Sequence, residues 1–184
     1  MKLKSFKPFF FCASLFLSLH VQAQKSAKLT SFVDPIIGSA KHGHVLTTAE
    51  SCTGGGVATA ITDIAGSSGW LDRAFVTYSN EAKMEMLGVR AETLEEHGAV
   101  SELVVIEMVQ GALQHSNATI GVSISGVAGP GGGSDEKPVG TVCFAFADKH
   151  DWLFVETMHF SGDRAEVRQQ AVMHALTRLH QHLI

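Results

Sequence analysis

The sequence is poor in cysteine, has a single tyrosine and contains no run of basic residues. Its three cysteines, Cys12, Cys52 and Cys143, are widely spaced and form no CxxC pair, so neither a disulfide framework nor a zinc site is indicated. We expect Cys143 to be a small buried apolar residue. The formal net charge is −4 without a basic cluster, which argues against nucleic acid as a partner. His42 and His44 form a close pair without carboxylate or thiolate company, so we expect no metal site.

The first 23 residues differ in character from the rest of the chain. Lysines at positions 2, 4 and 7 precede an apolar run over 9–19, and Val21-Gln22-Ala23 fits a small-residue cleavage pattern. Because a membrane span needs about 20 apolar residues, we predict a signal-peptide-like leader over 1–23 and no stable membrane anchor. Residues 24–44 lack helical or strand periodicity and are predicted to be a linker or an atypical N-terminal segment. One domain is expected over 45–184.

From residue 45 onward, segments with strand character alternate with segments of helical periodicity. Strands are predicted at "HVLTTAE", "RAFVTYS", "ATIGVSISG", "VGTVCFAFA" and "WLFVETMHF", the last two joined as an antiparallel hairpin by "DKHD". Helices are predicted at "GVATAITDIAG", at "EAKMEMLG" with Asn80 as its N-cap, and over 101–116. A last helix begins with a capping box formed by Asp163 and Glu166. This order predicts an α/β fold with three layers, α/β/α, around a mixed, mostly parallel sheet.

The stretch "AESCTGGG", residues 49–56, combines a serine with a glycine-rich turn between a strand and a helix. The carboxyl ends of strands in open α/β sheets are where ligands bind, and the amides of such a turn can hold an anion or an oxyanion. Ser51 is therefore a candidate nucleophile. The alternative is that Ser51 and Thr53 only cap the helix that follows. Adjacent residues at a strand end point in opposite directions, so Ser51 and Cys52 cannot both face the site.

The stretch "YSNEAK", residues 78–83, contains groups that could activate a serine. A serine hydroxyl needs an adjacent base, and Tyr78 and Lys83 are predicted to reach the same sheet edge as Ser51. Lysine acts as a base only when neutral, which requires burial or a nearby cation to lower its pKa. The alternatives are that Tyr78 is a core aromatic residue at a strand end and that Lys83 is an ordinary solvated lysine.

The loop "SGVAGPGGGSDEKPVG" follows the third predicted strand at the same edge. Successive amides of its glycines can form a nest for a phosphate, although the loop lacks the nucleoside-triphosphate pattern GxxxxGK[ST]. Arg164, in "SGDR", begins the last helix and is a second candidate phosphate ligand. The alternative for the loop is that it is only a mobile turn. The alternative for Arg164 is that it is a charged residue in the first turn of the helix without a partner.

These motifs together resemble the C-terminal domain of the CinA family, the competence- and damage-inducible proteins. "AESCTGG", "GSSGW", "TYSNEAK", "LGV", "GAVSE", "SGVAGPGGG", "KPVGTV" and "GDR" occur in family order from about residue 45 to 184. Stand-alone members are nicotinamide-nucleotide amidohydrolases, so the resemblance implies deamidation of nicotinamide mononucleotide to nicotinate mononucleotide and ammonia, a step of pyridine nucleotide recycling. It implies Ser51 as nucleophile, with Tyr78 and Lys83 as helpers. The substrate-binding residues that it implies are Glu50, Thr53, Gly54, Gly55, Gly129, Gly131, Gly132 and Arg164.

The resemblance also sets expectations about partners. It implies a small-molecule substrate, no cofactor and a homodimer. A catalytically inactive nucleotide-binding module of the same fold is the alternative function. The predicted leader indicates export to the periplasm or beyond, whereas the implied substrate is made in the cytoplasm, and the sequence leaves both locations open.

Overall fold

The computed structural model of the chain describes residues 43–183. The predicted leader over 1–23 and residues 24–42 of the predicted linker lie outside the described residues. Within 43–183 the chain forms five strands, five α-helices and one short 3₁₀ turn, Ser67–Gly69. The strands are β1 (Leu46–Glu50), β2 (Leu71–Val76), β3 (Ile120–Gly126), β4 (Thr141–Asp148) and β5 (Leu153–His159). The helices are α1 (Gly56–Thr62), α2 (Asn80–Leu87), α3 (Ala91–His97), α4 (Glu102–Gln114) and α5 (Arg164–Leu183).

The strands form one mixed sheet in the order β2-β1-β3-β4-β5. β1 pairs in parallel with both β2 and β3, while β4 is antiparallel to β3 and β5. Four of the five strands therefore run in the same direction, and only β4 is reversed. The predicted mixed, mostly parallel sheet and the predicted β4–β5 hairpin are both confirmed.

The register of the parallel strands brings three loops to one edge of the sheet. Glu50, the last residue of β1, lies opposite Val76 on one side and Ile124 on the other. The chain therefore leaves all three strands at the same level, and residues 51–55, 77–79 and 127–140 follow them. This carboxyl edge carries the glycine-rich turn, the "TYS" segment and the long glycine loop together.

Helices cover both faces of the sheet, as predicted for three layers. Alternate residues of β4 face opposite sides of the sheet. Phe144 and Phe146 pack with α1 and α5 in one core, and Cys143 and Ala145 pack with α2, α3 and α4 in the other. Cys143 is buried and free, as predicted. No helix within residues 43–183 has both the length and the apolar character of a membrane span.

The helix ends follow local capping chemistry, with two differences from the prediction. The capping box of α5 is confirmed, because Asp163 Oδ1 accepts from the Glu166 amide and a Glu166 carboxylate oxygen accepts from the Asp163 amide. Ser79, one residue before the predicted Asn80, caps α2 by accepting from the Ala82 amide. Helix α3 was not predicted, since one short apolar face over seven residues gives too little periodicity.

The position of α2 depends on a close approach to α4. Gly111 of α4 lies against the carbonyl group of Leu87, the last residue of α2, so close that an added Cβ would collide with it. Gly88 then ends α2 in the left-handed conformation at φ 70°. This contact holds α2, and Lys83 within it, over the carboxyl edge of the sheet.

Candidate active site

Ser51 is fixed at the end of β1 by the backbone of the neighbouring strand. Its amide donates to the Ile124 carbonyl oxygen at 2.9 Å, which extends the β1–β3 pairing by one residue. Ala49 packs in the core covered by α2 and α4, and Ser51 Oγ contacts Lys83 of α2 on the same side, whereas Cys52 belongs to the core beneath α1 and α5. The expectation that Ser51 and Cys52 point in opposite directions is confirmed. Burial raises the pKa of the Cys52 thiol to about 11, which makes it a poor nucleophile.

Lys83 lies directly beside Ser51. The Lys83 side chain is buried, with only 1% of the residue exposed, and Nζ is 3.1 Å from Ser51 Oγ. Nζ also lies 2.9 Å from the Thr77 carbonyl oxygen and 3.5 Å from that of Tyr78. Both of these oxygens can only accept. Two N–H groups of a neutral amine can therefore serve the two carbonyls, which leaves the nitrogen lone pair for the Ser51 hydroxyl.

The surroundings of Lys83 favour its neutral form. Burial lowers the pKa of the Lys83 amine from its ordinary value, and a smaller opposing influence comes from Cys52. The thiol of Cys52 is itself protonated at neutral pH, so it gives little support to the ammonium form. A buried amine with a lowered pKa, in contact with a hydroxyl, is the arrangement that lets lysine act as a base.

Tyr78 lies at the mouth of the site and is engaged elsewhere. It is 63% exposed, and its hydroxyl oxygen accepts from Arg164 Nη2 at 3.1 Å. Among the described residues, the Tyr78 hydroxyl makes no hydrogen bond to Ser51 or to the Lys83 amine. The structure thus brings Ser51 and Lys83 into contact and places Tyr78 beside them, joined to the first residue of α5.

Two neighbouring cavities open at this edge. The smaller, of about 220 Å³, is lined by Ser51, Tyr78, Lys83, Ser125, Ala128 and Arg164, among others. The larger, of about 660 Å³, is lined by Ala128, Gly129, Pro130, Gly162, Arg164 and Arg168, among others. Ala128 and Arg164 line both, so the two cavities are adjacent parts of one cleft. The larger one falls within the range of about 300–1,000 Å³ that is usual for small-molecule sites.

The glycine loop meets the cleft at Gly129. Arg164 Nη1 donates to the Gly129 carbonyl oxygen at 2.8 Å, which ties the loop to the start of α5. Gly131 and Gly132 are exposed and are not among the residues that line the two cavities.

Of the other predicted substrate-binding residues, Glu50 ends β1, and Thr53, Gly54 and Gly55 belong to the turn that follows it. Glu50 is completely buried, and both of its carboxylate oxygens accept hydrogen bonds from backbone amides of α1. Oε2 accepts from the Val57 amide at 3.1 Å, and Oε1 accepts from the Ala58 amide at 3.0 Å. Glu50 therefore caps α1, in place of Ser51 or Thr53, and its placement does not support substrate contact. Thr53 is completely buried, and Gly54 and Gly55 form the turn at φ 61° and 88°.

Two residues of the site were missed from the sequence. Arg168 Nε donates to the Cys52 carbonyl oxygen at 3.1 Å and Nη2 to that of Thr53 at 2.8 Å, so Arg168 holds the turn that carries Ser51. Its spacing of four residues from Arg164, which puts both on one helix face, was the available signal. Ser125 lines the smaller cavity, and its hydroxyl donates to the Ala99 carbonyl oxygen at 2.7 Å. Nothing in the pattern of a buried strand distinguishes this serine.

Within residues 43–183 no cluster of three or more histidine, cysteine, aspartate or glutamate side chains is arranged to hold a metal ion. Fold and site define a three-layer α/β protein with a serine–lysine pair at the carboxyl edge of its sheet. Comparison with known proteins places it more narrowly. The chain belongs to the CinA C-terminal domain family, whose sequence profile matches residues 33–183.

Its relatives support this assignment in sequence and in structure. The chain is similar to nicotinamide-nucleotide amidohydrolase PncC of Escherichia coli strain K12, with 61% identity over 142 residues that cover 77% of this chain and 86% of the relative. It is also similar to the solved competence/damage inducible protein CihA of Agrobacterium tumefaciens, with a TM-score of 0.81 and 45% identity over 83% of this chain and 93% of that one. A competence or damage-inducible protein of Enterobacter asburiae matches with a TM-score of 0.81 and 40% identity over 85% and 98% of the two chains.

Proposed function

We propose that the protein is an amidohydrolase that deamidates nicotinamide mononucleotide to nicotinate mononucleotide and ammonia, a step in pyridine nucleotide recycling. The observation that carries the proposal is the 3.1 Å contact between the Lys83 amine and the Ser51 hydroxyl. The name of the Escherichia coli relative, nicotinamide-nucleotide amidohydrolase, supports the substrate class. We assign Ser51 as the nucleophile and Lys83 as its base.

In the first half of the reaction, Ser51 Oγ attacks the carboxamide carbon while Lys83 Nζ takes the hydroxyl proton. The carbonyl oxygen becomes an oxyanion, which needs donors in place. Cys52 lines the smaller cavity although its thiol is buried on the other side, so its backbone faces the cleft. Among residues 43–183 no backbone oxygen accepts from the amide of Thr53, and we assign this N–H group to the oxyanion.

The tetrahedral intermediate then collapses, and the C–N bond breaks. The ammonium form of Lys83 returns its proton to the leaving nitrogen, which departs as ammonia, and an ester of Ser51 remains. Burial makes this ammonium a strong acid for a lysine, since its pKa is lowered. Water attacks the ester in the second half, with Lys83 again as base, and releases the carboxylate product and the free serine.

The cleft has room for both ends of the substrate. We place the carboxamide in the smaller cavity, beside Ser51, and the phosphate in the larger one, where Arg164 and Arg168 supply positive charge. Gly129 brings the backbone of the loop to the same wall. Tyr78, at the mouth of the smaller cavity, can pass a proton between the leaving group and solvent once its hydroxyl is released from Arg164. No step of this scheme requires a cofactor.

Ammonia release from nicotinamide mononucleotide by the purified protein tests the proposal. Ser51→Ala should lower kcat by at least about 10³-fold, because the nucleophile is lost. Cys52→Ala is the matched control: the neighbouring residue changes by one heavy atom on the opposite face of the sheet, and kcat should stay within about twofold. Equal turnover by wild type and Ser51→Ala would reject the proposal. A ligand that raises the melting temperature without being consumed would instead favour the inactive nucleotide-binding module.

We also propose that the protein acts as a homodimer on this small molecule, as its family membership suggests. Light scattering on the purified protein tests this, and a monomer mass at working concentration would contradict it.

A further inference from the structure

The side chain of Arg164 joins the two halves of the cleft. Its Nη2 donates to the Tyr78 hydroxyl oxygen at 3.1 Å, and its Nη1 donates to the Gly129 carbonyl oxygen at 2.8 Å. Tyr78 lines the smaller cavity and Gly129 lines the larger, and Arg164 lines both. One guanidinium group therefore holds the candidate catalytic tyrosine and also faces the space proposed for the substrate phosphate.

The two ligands of this guanidinium would compete. A bond from a cation to the oxygen of a neutral, largely exposed phenol is weak, whereas a phosphate offers a bidentate, charge-assisted pair. The second arginine of the cleft is less available, since Nε and Nη2 of Arg168 already donate to carbonyl oxygens of the nucleophile turn. Among the described residues, Asp163 is the one carboxylate that lines the larger cavity, and its Oδ1 accepts from the first amides of α5.

We propose that Arg164 makes catalysis depend on the phosphate of the substrate. An anion that binds the guanidinium releases the Tyr78 hydroxyl, which can then take part in proton transfer beside Ser51 and Lys83. The inference rests on the proposed function and goes beyond it. In the absence of an anion Tyr78 stays on Arg164 and the Ser51–Lys83 pair lacks its partner. The phosphate then contributes to kcat as well as to binding, and Arg164 discriminates nucleotides from nucleosides of the same base.

Kinetics with nicotinamide riboside, which has the amide but no phosphate, tests this coupling. Wild type should turn over the riboside with a kcat at least about tenfold below that for the nucleotide. Arg164→Ala should lower kcat/KM for the nucleotide and yet raise kcat for the riboside at least about threefold, because Tyr78 is no longer held. The rise should vanish in the double variant Arg164→Ala with Tyr78→Phe. An arginine that only binds phosphate predicts no change in riboside turnover, and unchanged or lower turnover overturns the proposal.

A second measurement does not depend on activity or on a variant that folds. Tyr78 is the only tyrosine, so protein grown with ring-labelled tyrosine gives a single set of tyrosine NMR signals. Ribose 5-phosphate, which carries the anion without the amide, should shift these signals in the wild type, and ribose should not. Unmoved signals at saturating ribose 5-phosphate overturn the proposal. If the signals move as expected while no ammonia is released from the nucleotide, the release of Tyr78 from Arg164 by an anion stands and the proposed function fails.

Discussion

Replacing Lys83 by methionine separates the chemical role of the amine from its packing. Methionine has nearly the same length and keeps the buried stem, but it removes the only basic group in contact with Ser51 Oγ among the described residues. The loss of a positioned general base lowers rates by roughly 10² to 10⁴. We therefore expect kcat for ammonia release to fall by that factor in Lys83→Met. If the substitution instead disrupted packing, the melting temperature of Lys83→Met would fall by a large amount. A thermal melt of the same samples measures this.

The wild type should also show the signature of a buried amine in its stability. Burial lowers the folded-state pKa of Lys83 below its ordinary value of 10.5, so the unfolded chain binds the proton more tightly. The free energy of unfolding of the wild type, relative to Lys83→Met, therefore rises with pH between the lowered pKa and about 10.5. The slope for one proton is at most about 1.4 kcal/mol per pH unit. For the same reason, kcat/KM should rise with pH through the lowered pKa and then level off.

Urea unfolding of both proteins at several values between pH 7 and pH 10 measures this slope. The comparison with Lys83→Met removes the contributions of all other titrating groups that the two proteins share. A difference that stays flat or falls over this range would refute the claim that folding favours the neutral amine. The catalytic argument built on that claim would then lose its basis.

Three further substitutions test the placement of other groups. Cys52→Ala should leave activity within about twofold and make the protein no more resistant to thiol reagents than the wild type, since burial raises the pKa of this thiol to about 11. Glu50→Gln should lower the free energy of unfolding by about 1–2 kcal/mol through the α1 cap while KM stays constant, and a raised KM would restore Glu50 to the substrate site. Gly111→Ala should cost about 1–3 kcal/mol in urea unfolding by pushing on Leu87, and an unchanged midpoint would contradict the close approach.

The part of the site that follows from strand alternation and sheet edges was predictable from the sequence. Ser51 follows β1 and Tyr78 follows β2, and parallel strands must end at the same edge. The helix that contains Lys83, five residues beyond Tyr78, therefore had to begin there. The opposite orientations of Ser51 and Cys52 follow from the period of two along a strand. In each case a rule about neighbouring elements determines the geometry.

The parts that were missed depend on contacts between distant segments. Arg164 reaches Tyr78 across 86 positions of the chain, and Arg168 reaches the turn after β1 across more than a hundred. Both contacts exist because α5 returns along the sheet and starts at the carboxyl edge, which helical periodicity cannot specify. Glu50 was assigned to substrate from its motif, but its position as the last residue of β1 turns it towards α1. A motif identifies the neighbourhood of a side chain without giving the face on which it lies.

The central claim, acyl transfer through Ser51, is tested most directly by mass spectrometry of the protein quenched in acid during turnover of nicotinamide mononucleotide. The account predicts that the peptide containing Ser51 carries an ester of nicotinate mononucleotide, and that this adduct is absent in Ser51→Ala and retained in Cys52→Ala. Steady formation of nicotinate mononucleotide with no ester on that peptide at any quench time would mean that water attacks the amide directly, and would contradict the account.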